Sequence, residues 1–355
     1  MKKLPEIVHG VGRIFALFSG ILCAFALSSK AQSLPDSSGN DHTYRVMFYN
    51  VENLFDTFDD PATNDDEFTP DGNKRWTYFR YREKLNHIAK TIIAVGAWEP
   101  PAVVGMCEVE NFQVLQDLTK ETMLKKFDYQ MVHENSPDLR GIDNAIIYRK
   151  DKLVEISHRA ISVSVDQHRP TRDILYVSFL IARQDTLHLF VNHWPSRFGG
   201  KEFTEEKRQL AATVLRQQVD SLFAISNLSK ILIMGDFNDE PLDNSLTTSL
   251  GAITDNSDPA PGKLYNLSVP DLRTGIGTLV YKEIDISWFL FDQMIVSGGL
   301  MVGDRLICSE SKNNIYTAAW LLKKNRPFRT YQGPIYQGGF SDHLPIFIDL
   351  HHHGK

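Results

Sequence analysis

The segment KILIMGDFND, residues 230–239, places an apolar run directly before a cluster of polar residues. A short apolar run bounded by such residues is typical of a buried strand. Asp236 and Asn238 stand where this strand should end. Because loops at strand ends carry many functional side chains, both residues are candidates for a site. The segment therefore predicts a strand that brings two polar groups to one edge of a sheet.

The same arrangement recurs at other predicted strand edges. A single polar residue at a strand end is common, but repetition along one chain indicates a shared site. The residues concerned are Asn50 and Glu52 after the first strand, Glu108 after AVVGMC, Asn192 and His193 after LHLFV, and Asp342 and His343 before the last strand.

Strand and helix patterns alternate along the chain. Predicted helices cover residues 81–95, with one apolar face, and 205–222, with Thr204 as the N-cap. Several strand pairs have no helix between them, which favours stacked sheets covered by helices in one domain. The predicted strands are residues 44–49, 102–106, 144–149, 174–182, 187–192, 230–235, 288–296 and 344–350.

The composition is that of an ordinary globular protein. The 355 residues are 42% hydrophobic and 23% charged, and the net charge of -6 argues against a broad polyanion-binding surface. A local basic cleft is compatible with that charge. Residues 309–340 are rich in Lys, Arg, Tyr and Gly, and either flank a site for an anionic substrate or form a long surface loop.

The N-terminal residues have the pattern of a secretory signal peptide. Basic residues precede an apolar run of 14 residues, 14–27, which is shorter than the roughly 20 that span a membrane. We predict a signal peptide at 1–31, a linker at 32–42 and a domain at 43–351; an uncleaved anchor is the alternative. The exported protein would be periplasmic or extracellular and have no membrane span. Residues 1–31 hold four basic residues and one acidic residue, so the mature chain has 34 and 43, a net charge of -9.

Two cysteines, Cys107 and Cys308, remain after removal of that segment. Two are too few for a disulfide scaffold in a chain of this length. They either form one bridge or are two buried thiols.

The polar residues at the strand edges suit metal-assisted chemistry. Glu52 and Glu108 offer the oxygen ligands that Mg²⁺ or Mn²⁺ prefers. His193 and His343 can bind or protonate phosphate oxygens, and Asp236 can accept a proton from an attacking water. There is no Gly-x-Ser-x-Gly motif for a serine nucleophile. This inventory indicates metal-dependent hydrolysis of a phosphate ester.

Six segments in this order resemble the motifs of the endonuclease/exonuclease/phosphatase superfamily. The resemblance covers about 300 residues and implies a four-layer α/β/β/α sandwich, with two packed mixed β-sheets flanked by helices. The segments are YNVENLFD (49–56), GMCEVEN (105–111), VNHWPSRFGG (191–200), MGDFND (234–239), LFDQMIVS (290–297) and GFSDHLPI (339–346).

The resemblance implies two groups of functional residues. Which histidine acts as the acid and which one stabilises charge stays open. The implied Mg²⁺ or Mn²⁺ ligands are Asn50, Glu52, Glu108 and Asp342, with Glu108 the principal one. The implied catalytic residues are His193, Asp236, Asn238, Asp292 and His343, with Asp236 acting on water and Asp292 bonding to His343.

The resemblance also implies that Glu134 orients His193. Asn192 and Arg197 are further candidates for contact with the substrate. Arg197, like Arg140 and Arg208, is a weaker candidate for phosphate contacts, since surface arginines are usually solvated.

The expected reaction is hydrolysis of a phosphodiester by in-line attack of an activated water, in a monomer. A secreted nuclease acting on DNA or RNA is favoured. The alternative is a phosphodiesterase or phosphatase for a small-molecule or lipid-derived ester, and a non-catalytic binding module on the same fold is favoured least.

Overall fold

The computed structural model describes residues 42–164, 170–280 and 287–354. The predicted signal peptide and residues 32–41 of the predicted linker lie outside these ranges. His42, the last residue assigned to the linker, is the first residue of a strand.

The described elements comprise three helices of two or more turns, two short helices and twenty strands, many of two residues. The helices are α1 (Tyr78–Gly96), α2 (Phe112–Lys120), α3 (Lys201–Ile225), α4 (Val269–Arg273) and α5 (Gly298–Met301). The first ten strands are β1 (His42–Leu54), β2 (Val103–Val109), β3 (Tyr129–His133), β4 (Asp143–Arg149), β5 (Leu153–Ile161), β6 (Ile174–Ile181), β7 (Asp185–His193), β8 (Lys230–Asp236), β9 (Ala252–Ile253) and β10 (Leu264–Asn266). The others are β11 (Leu279–Val280), β12 (Trp288–Phe289), β13 (Asp292–Ser297), β14 (Leu306–Ile307), β15 (Asn314–Ile315), β16 (Leu322–Lys323), β17 (Arg326–Pro327), β18 (Tyr331–Gln332), β19 (Ile335–Tyr336) and β20 (Ile346–His352).

Two large mixed sheets form the centre of the molecule. The first sheet has the order β14-β20-β1-β2-β4-β3, with β15 also paired to β20. The second has the order β5-β6-β7-β8-β13-β10-β9. β1 and β2 are parallel, as are β7 and β8, so each sheet has neighbouring strands whose carboxyl ends lie at one edge. That edge of each sheet carries the polar residues of interest.

The buried side chains form three clusters, one between the two sheets and one on the outer face of each sheet. On β1, Val46 and Phe48 belong to a cluster shared with the second sheet, whereas Met47 and Tyr49 pack with α1 and α2. On the outer face of the second sheet, α3 contributes its apolar positions to a third cluster. Because strand side chains alternate between faces, both sheets bury two faces. The result is the predicted four-layer sandwich.

The predicted elements agree with the structure in type but differ in detail. Gly200 is the N-cap of α3, and Thr204 lies inside that helix, where its hydroxyl donates to the Gly200 carbonyl. The predicted strand at 288–296 is two strands, β12 and β13, interrupted at residues 290–291. α2, β3 and β5 have no counterpart among the predicted elements. On β5 the side chains of Val154 and Ile156 are exposed, so it lacks the buried face that the pattern search requires.

Both cysteines of the described residues, Cys107 and Cys308, are buried free thiols, which decides between the two interpretations of the pair. Within the described ranges, no helix combines the length and the apolar character needed to cross a membrane.

Candidate active site

Three neighbouring strands of the second sheet place polar side chains side by side. In the register of the sheet, His193 at the end of β7 lies opposite Asp236 at the end of β8. Asp236 in turn lies opposite Asp292 at the start of β13. Residues directly opposite on adjacent strands are close enough to interact. The sheet thus arranges His193, Asp236 and Asp292 in a row.

The first sheet adds Asn50 and Glu108 from the ends of β1 and β2. The β1–β2 pairing is irregular after Asn50, and the β2–β4 pairing is irregular between Cys107 and Val109. Glu108 has a φ of 63°. Its Oε2 atom accepts a hydrogen bond of 2.9 Å from the Asn53 amide, and Oε1 lies 3.9 Å from His193 Nε2. The irregular backbone therefore directs this carboxylate toward the row of residues on the second sheet.

Asp236 lies at the centre of the site. Its Oδ2 atom accepts from Asn50 Nδ2 at 3.1 Å, and its Oδ1 accepts from the Asn238 amide at 3.0 Å. Oδ2 is also 3.8 Å from Nε2 of both His193 and His343. Burial raises the pKa of Asp236 to about 6, with His343 opposing the rise. Near neutral pH most of this carboxylate is ionised, and its raised pKa makes it a stronger base than an ordinary aspartate. Both properties suit a proton acceptor.

His343 and Asp292 form a buried pair. His343 Nδ1 lies 2.7 Å from Asp292 Oδ2. Burial by itself would lower the pKa of His343, but Asp292, Asp236 and Asp342 outweigh it and raise the pKa well above its ordinary value. The ring is therefore cationic at neutral pH, donates to Asp292 and presents Nε2–H toward Asp236.

His193 is in the opposite protonation state. Burial lowers its pKa well below the ordinary value, and the positive charges of Arg172, Arg140 and His343 lower it further. Its Nδ1 atom has no hydrogen-bond partner among the described residues. The site thus places one neutral and one cationic imidazole on either side of Asp236.

Two sets of side chains are candidates for a divalent cation. Asp236, Asp292 and His343 offer ligand atoms within 4.8 Å of one another, but a cationic His343 would repel a metal there. Glu108 directs Oε1 into the site, toward His193. The Asn50 amide oxygen accepts from the Glu52 amide at 3.0 Å and keeps a second lone pair for an ion. One or two carboxylates, completed by water and substrate oxygens, are the environment that Mg²⁺ prefers. The residues at Glu108 therefore fit such an ion better.

A model of the Endonuclease/Exonuclease/phosphatase family matches residues 45–352. The chain belongs to the Endonuclease/Exonuclease/phosphatase family. The fold of this family supports metal-dependent hydrolysis of phosphate esters. No curated protein sequence matches the chain significantly.

Solved structures of the family share the fold at low sequence identity. TDP2 from D. rerio with a single-strand DNA product is 15% identical, with a TM-score of 0.54 over 87% of this chain and 98% of that one. The human Nocturnin catalytic domain with bound sulfate is 15% identical, with a TM-score of 0.52 over 88% and 97%. A Bacteroides thetaiotaomicron family protein is 14% identical, with a TM-score of 0.53 over 89% and 97%.

Asn192, Arg197 and Glu134 make contacts that support the fold. Asn192 is fully buried, and its amide donates to the Met234 carbonyl. Arg197 Nε donates to the Asn238 carbonyl at 2.7 Å, and its Nη2 atom pairs with two aspartates, so this residue holds the Asn238 loop. Glu134 contacts His158 instead of His193, so the structure does not give it the expected orienting role. Contact of Asn192 and Arg197 with a substrate stays a prediction.

Glu52 also differs from the metal-ligand prediction. Its Oε2 atom accepts from the Thr330 amide at 2.6 Å and lies 3.9 Å from Lys84 Nζ, while Oε1 accepts weakly from Tyr331. Burial raises the pKa of Glu52 to about 7, and the charge of Asp342 adds to this. Glu52 therefore anchors the loop at 329–331. Asp342, at 3.3 Å from Arg329, stays at the rim of the site.

Asn238 lies beside Asp236, and its side-chain amide already has one partner. The side chain is buried, and Nδ2 donates to the Trp194 carbonyl at 3.0 Å. One amide hydrogen is left for a phosphate oxygen. The same carbonyl accepts 2.7 Å from Arg172, which no sequence pattern had indicated. Arg172 also donates to Asp138 Oδ2 at 3.0 Å, so it joins the loop after His193 to the loop that carries Asp138.

Arg208 and Arg140, two of the weaker candidates for phosphate contacts, lie in different environments. Arg208 is fully buried and pairs with Asp239 at 2.8 Å, so it is structural. Arg140 is half-exposed, donates to Asn53 Oδ1 at 2.5 Å and lies 3.9 Å from Glu108. Of these two, only Arg140 is placed to meet a substrate.

Proposed function

We propose that the protein is an exported, monomeric phosphodiesterase that uses Mg²⁺ or Mn²⁺ and acts as a nuclease. The observation that carries the proposal is Asp236, held 3.8 Å from two imidazoles of opposite protonation state beside the Glu108 carboxylate. A buried base, a fixed cation and a metal-ligating carboxylate are what hydrolysis of a phosphate ester requires.

Each residue has a distinct role in this reaction. Asp236 accepts a proton from water as the water oxygen bonds to phosphorus, and the ester bond on the opposite side breaks. The leaving oxygen takes a proton from solvent. The cationic ring of His343, held by Asp292, stabilises the negative charge that grows on the phosphoryl oxygens.

The metal and the other residues complete the site. When bound, a divalent ion neutralises charge on the phosphate and helps to orient it. Glu108 and Asn50 would hold that ion. Asn238 and the neutral His193 are placed to hydrogen-bond the remaining phosphate oxygens.

Two facts support the nuclease assignment and the export. The D. rerio TDP2 structure of the same fold holds a single-strand DNA product. The N-terminal sequence has the charged and apolar pattern of a signal peptide. We propose that the signal peptide is cleaved after residue 31 and that the mature protein is located in the periplasm or outside the cell.

The acidic net charge of -6 favours one other candidate, hydrolysis of a small-molecule or lipid-derived ester. A substrate panel separates the two. It would contain plasmid DNA, single-stranded DNA, RNA, phospholipids, sugar and inositol phosphates and bis-p-nitrophenyl phosphate, each with Mg²⁺, Mn²⁺ or EDTA. We expect metal-dependent cleavage of nucleic acid that Asp236→Asn abolishes. Turnover confined to small or lipid esters would overturn the nuclease assignment, and no turnover by folded protein would refute the enzyme.

A further inference from the structure

A cavity of about 410 Å³ lies immediately beside the site and shares Asp342 with it. Four basic residues line it, and Asp342 is the one acidic residue among the described lining residues. The basic residues are Lys323, Lys324, Arg326 and Arg329, on and after the β16–β17 hairpin. We call this cavity the hairpin groove. It is a concentrated positive region on a chain whose net charge is -6.

Two of the positive charges have no opposite charge within ion-pair distance among the residues that the structure describes. Lys323 Nζ lies 4.5 Å from the centre of the Phe328 ring and 3.3 Å from the Gln337 side-chain oxygen. Neither Lys323 nor Lys324 forms an ion pair with any described residue, and both are exposed. Arg329 is 3.3 Å from Asp342, at the end nearest His343. Uncompensated ammonium groups in a concave site attract an anionic ligand.

The hairpin groove is fixed relative to the site by backbone hydrogen bonds. The Phe328 amide donates to Leu321, and the amides of Phe340 and Ser341 both donate to the Phe328 carbonyl. Ser341 in turn donates its hydroxyl to the Asn50 carbonyl at 2.7 Å. The hairpin and the segment that carries His343 therefore form one connected unit, so an anion in the groove lies at a set distance from the site.

We propose that the hairpin groove binds a second phosphate of the substrate, one that is not cleaved. This inference rests on the proposed function, because it assigns the groove to the substrate of that reaction. The shared chemistry is an organic phosphate ester with a further phosphate next to the scissile one. A volume near 410 Å³ lies in the range of small-ligand sites and accommodates a nucleotide unit. Two sources provide that chemistry: a nucleic-acid strand and a small bisphosphorylated molecule.

The test uses two substrates with the same scissile bond and the full chain. One is thymidine 5′-(p-nitrophenyl phosphate), and the other is the same compound phosphorylated on O3′. We expect the extra phosphate to lower KM about tenfold, as one charge-assisted contact of 1.4 kcal/mol would do. The ratio of the two KM values, without and with the extra phosphate, should fall to nearly one in Lys323→Gln/Lys324→Gln. The Lys323→Arg/Lys324→Arg variant should restore it.

Lys125 and Lys126 give a matched control, since they are also adjacent, exposed lysines without an ion pair to the described residues. The Lys125→Gln/Lys126→Gln variant should keep the wild-type ratio. A ratio that stays within twofold of wild type in Lys323→Gln/Lys324→Gln would overturn the proposal. An equal loss in the control variant would also overturn it, because the effect would then be one of general charge.

A binding measurement keeps this inference separate from the catalytic one. Calorimetry in EDTA compares thymidine 3′,5′-bisphosphate with thymidine 5′-monophosphate, and we expect tighter binding of the bisphosphate only when Lys323 and Lys324 are present. Equal affinities in wild-type protein would overturn the groove even if hydrolysis occurs. If hydrolysis is absent but the affinities differ, the proposed function fails, and with it the assignment to a substrate, while the groove is retained as a phosphate-binding site. A KM that keeps falling with oligonucleotide length assigns the groove to a strand; one that levels off after a single phosphate assigns it to a small molecule.

Discussion

Glu108 and Asn238 both have backbone angles that side chains rarely adopt, with φ of 63° and 51°. Such conformations cost on the order of 1 kcal/mol each and persist where the surroundings impose them. Here the two conformations shape the candidate site: that of Glu108 directs a carboxylate across to His193, and that of Asn238 brings its backbone amide to Asp236 Oδ1. A regular strand would leave both groups facing elsewhere.

The charge of Glu108, more than its shape, should matter for activity. Glu108→Gln keeps an oxygen that can accept from the Asn53 amide but removes the anionic oxygen that faces the site. We expect activity to fall on the order of a hundredfold and the Mg²⁺ concentration for half-maximal activity to rise. Metal titration of the rate, with circular dichroism to verify the fold, measures both. An unchanged metal requirement would contradict the ligand role.

Asp292 should control the proton on His343. Asp292→Asn removes the charge that the pKa of His343 depends on, and the rate should drop by about 10⁴-fold, as when the carboxylate of a catalytic histidine–aspartate pair is neutralised. In metal-free protein, the Cε1–H NMR signal of His343 should remain that of a cation through neutral pH and become neutral in the variant. His193 should give the neutral signal in both. A cationic His343 in Asp292→Asn would disprove the dependence.

The same pair predicts how stability changes with pH. The folded pKa of His343 lies above the unfolded value near 6.5, so the folded protein binds this proton more tightly. Its contribution is complete below about pH 6.5 and is lost as the pH rises through the folded pKa. Thermal unfolding of metal-free protein from pH 6 to 9 should show this decline, and Asp292→Asn should flatten it. Parallel curves for the two proteins would contradict the linkage.

At the scale of elements, α1 supports the site through a buried lysine. Lys84 donates to Thr330 Oγ1 at 2.6 Å and to the Phe340 carbonyl at 2.7 Å, and lies 3.9 Å from Glu52. These contacts attach the helix to the segment that leads to His343. The helix was predictable from its apolar period, but a lysine at a fully buried position is not a feature that the period reveals.

Replacement of Lys84 should therefore destabilise the fold. Lys84→Met leaves the Glu52 carboxylate buried without its cation and should cost about 3 kcal/mol of unfolding free energy. Glu52 has a folded pKa of about 7, already above its unfolded value, and loss of Lys84 raises it further. The deficit should then grow above pH 7, where only the wild-type carboxylate ionises readily. Denaturant unfolding in EDTA at pH 6 and 8.5 measures this.

Lys90→Met on the same helix is the control, because Lys90 is exposed and its ammonium group lies over the rings of Trp320 and Phe340. Its cost should stay under about 1 kcal/mol at both pH values. A deficit for Lys84→Met that is equal at the two pH values would show that Glu52 does not depend on Lys84.

Across the whole molecule, the local sequence pattern predicted most of the main strands and helices. The contacts of each polar side chain depend on residues that lie far away in the sequence. Asp236 and Asn238 were identifiable because a strand ends at them. The partners of Asn192, Arg197 and Glu134 were not, since each lies on another element that only folding brings near. The site joins Asn50 to Asp236, 186 positions apart, through a single hydrogen bond between the two sheets. Motif order indicated that such residues meet, whereas the bulge that aims Glu108 has no sequence signature here.

The two free thiols provide a test of the export proposal. Burial raises the pKa of Cys107 well above its ordinary value and that of Cys308 to about 12, so neither should react in native protein. The chain has three cysteines, and the third, Cys23, lies in the segment we propose is removed. Exported protein should therefore give two reactive thiols, and only after denaturation.

Expression of the full chain in a bacterium with a periplasm allows the number of thiols to test whether residues 1–31 are removed. We expect the periplasmic product to begin at Gln32 by N-terminal sequencing and to release two equivalents of thionitrobenzoate from Ellman's reagent in denaturant, with almost none before it. A variant with Arg in place of Leu22 in the apolar run is the control: it should stay in the cytosol and show three thiols, because a charge in that run blocks export. A wild-type product that begins at Met1 and shows three thiols would mean that residues 1–31 remain part of the protein.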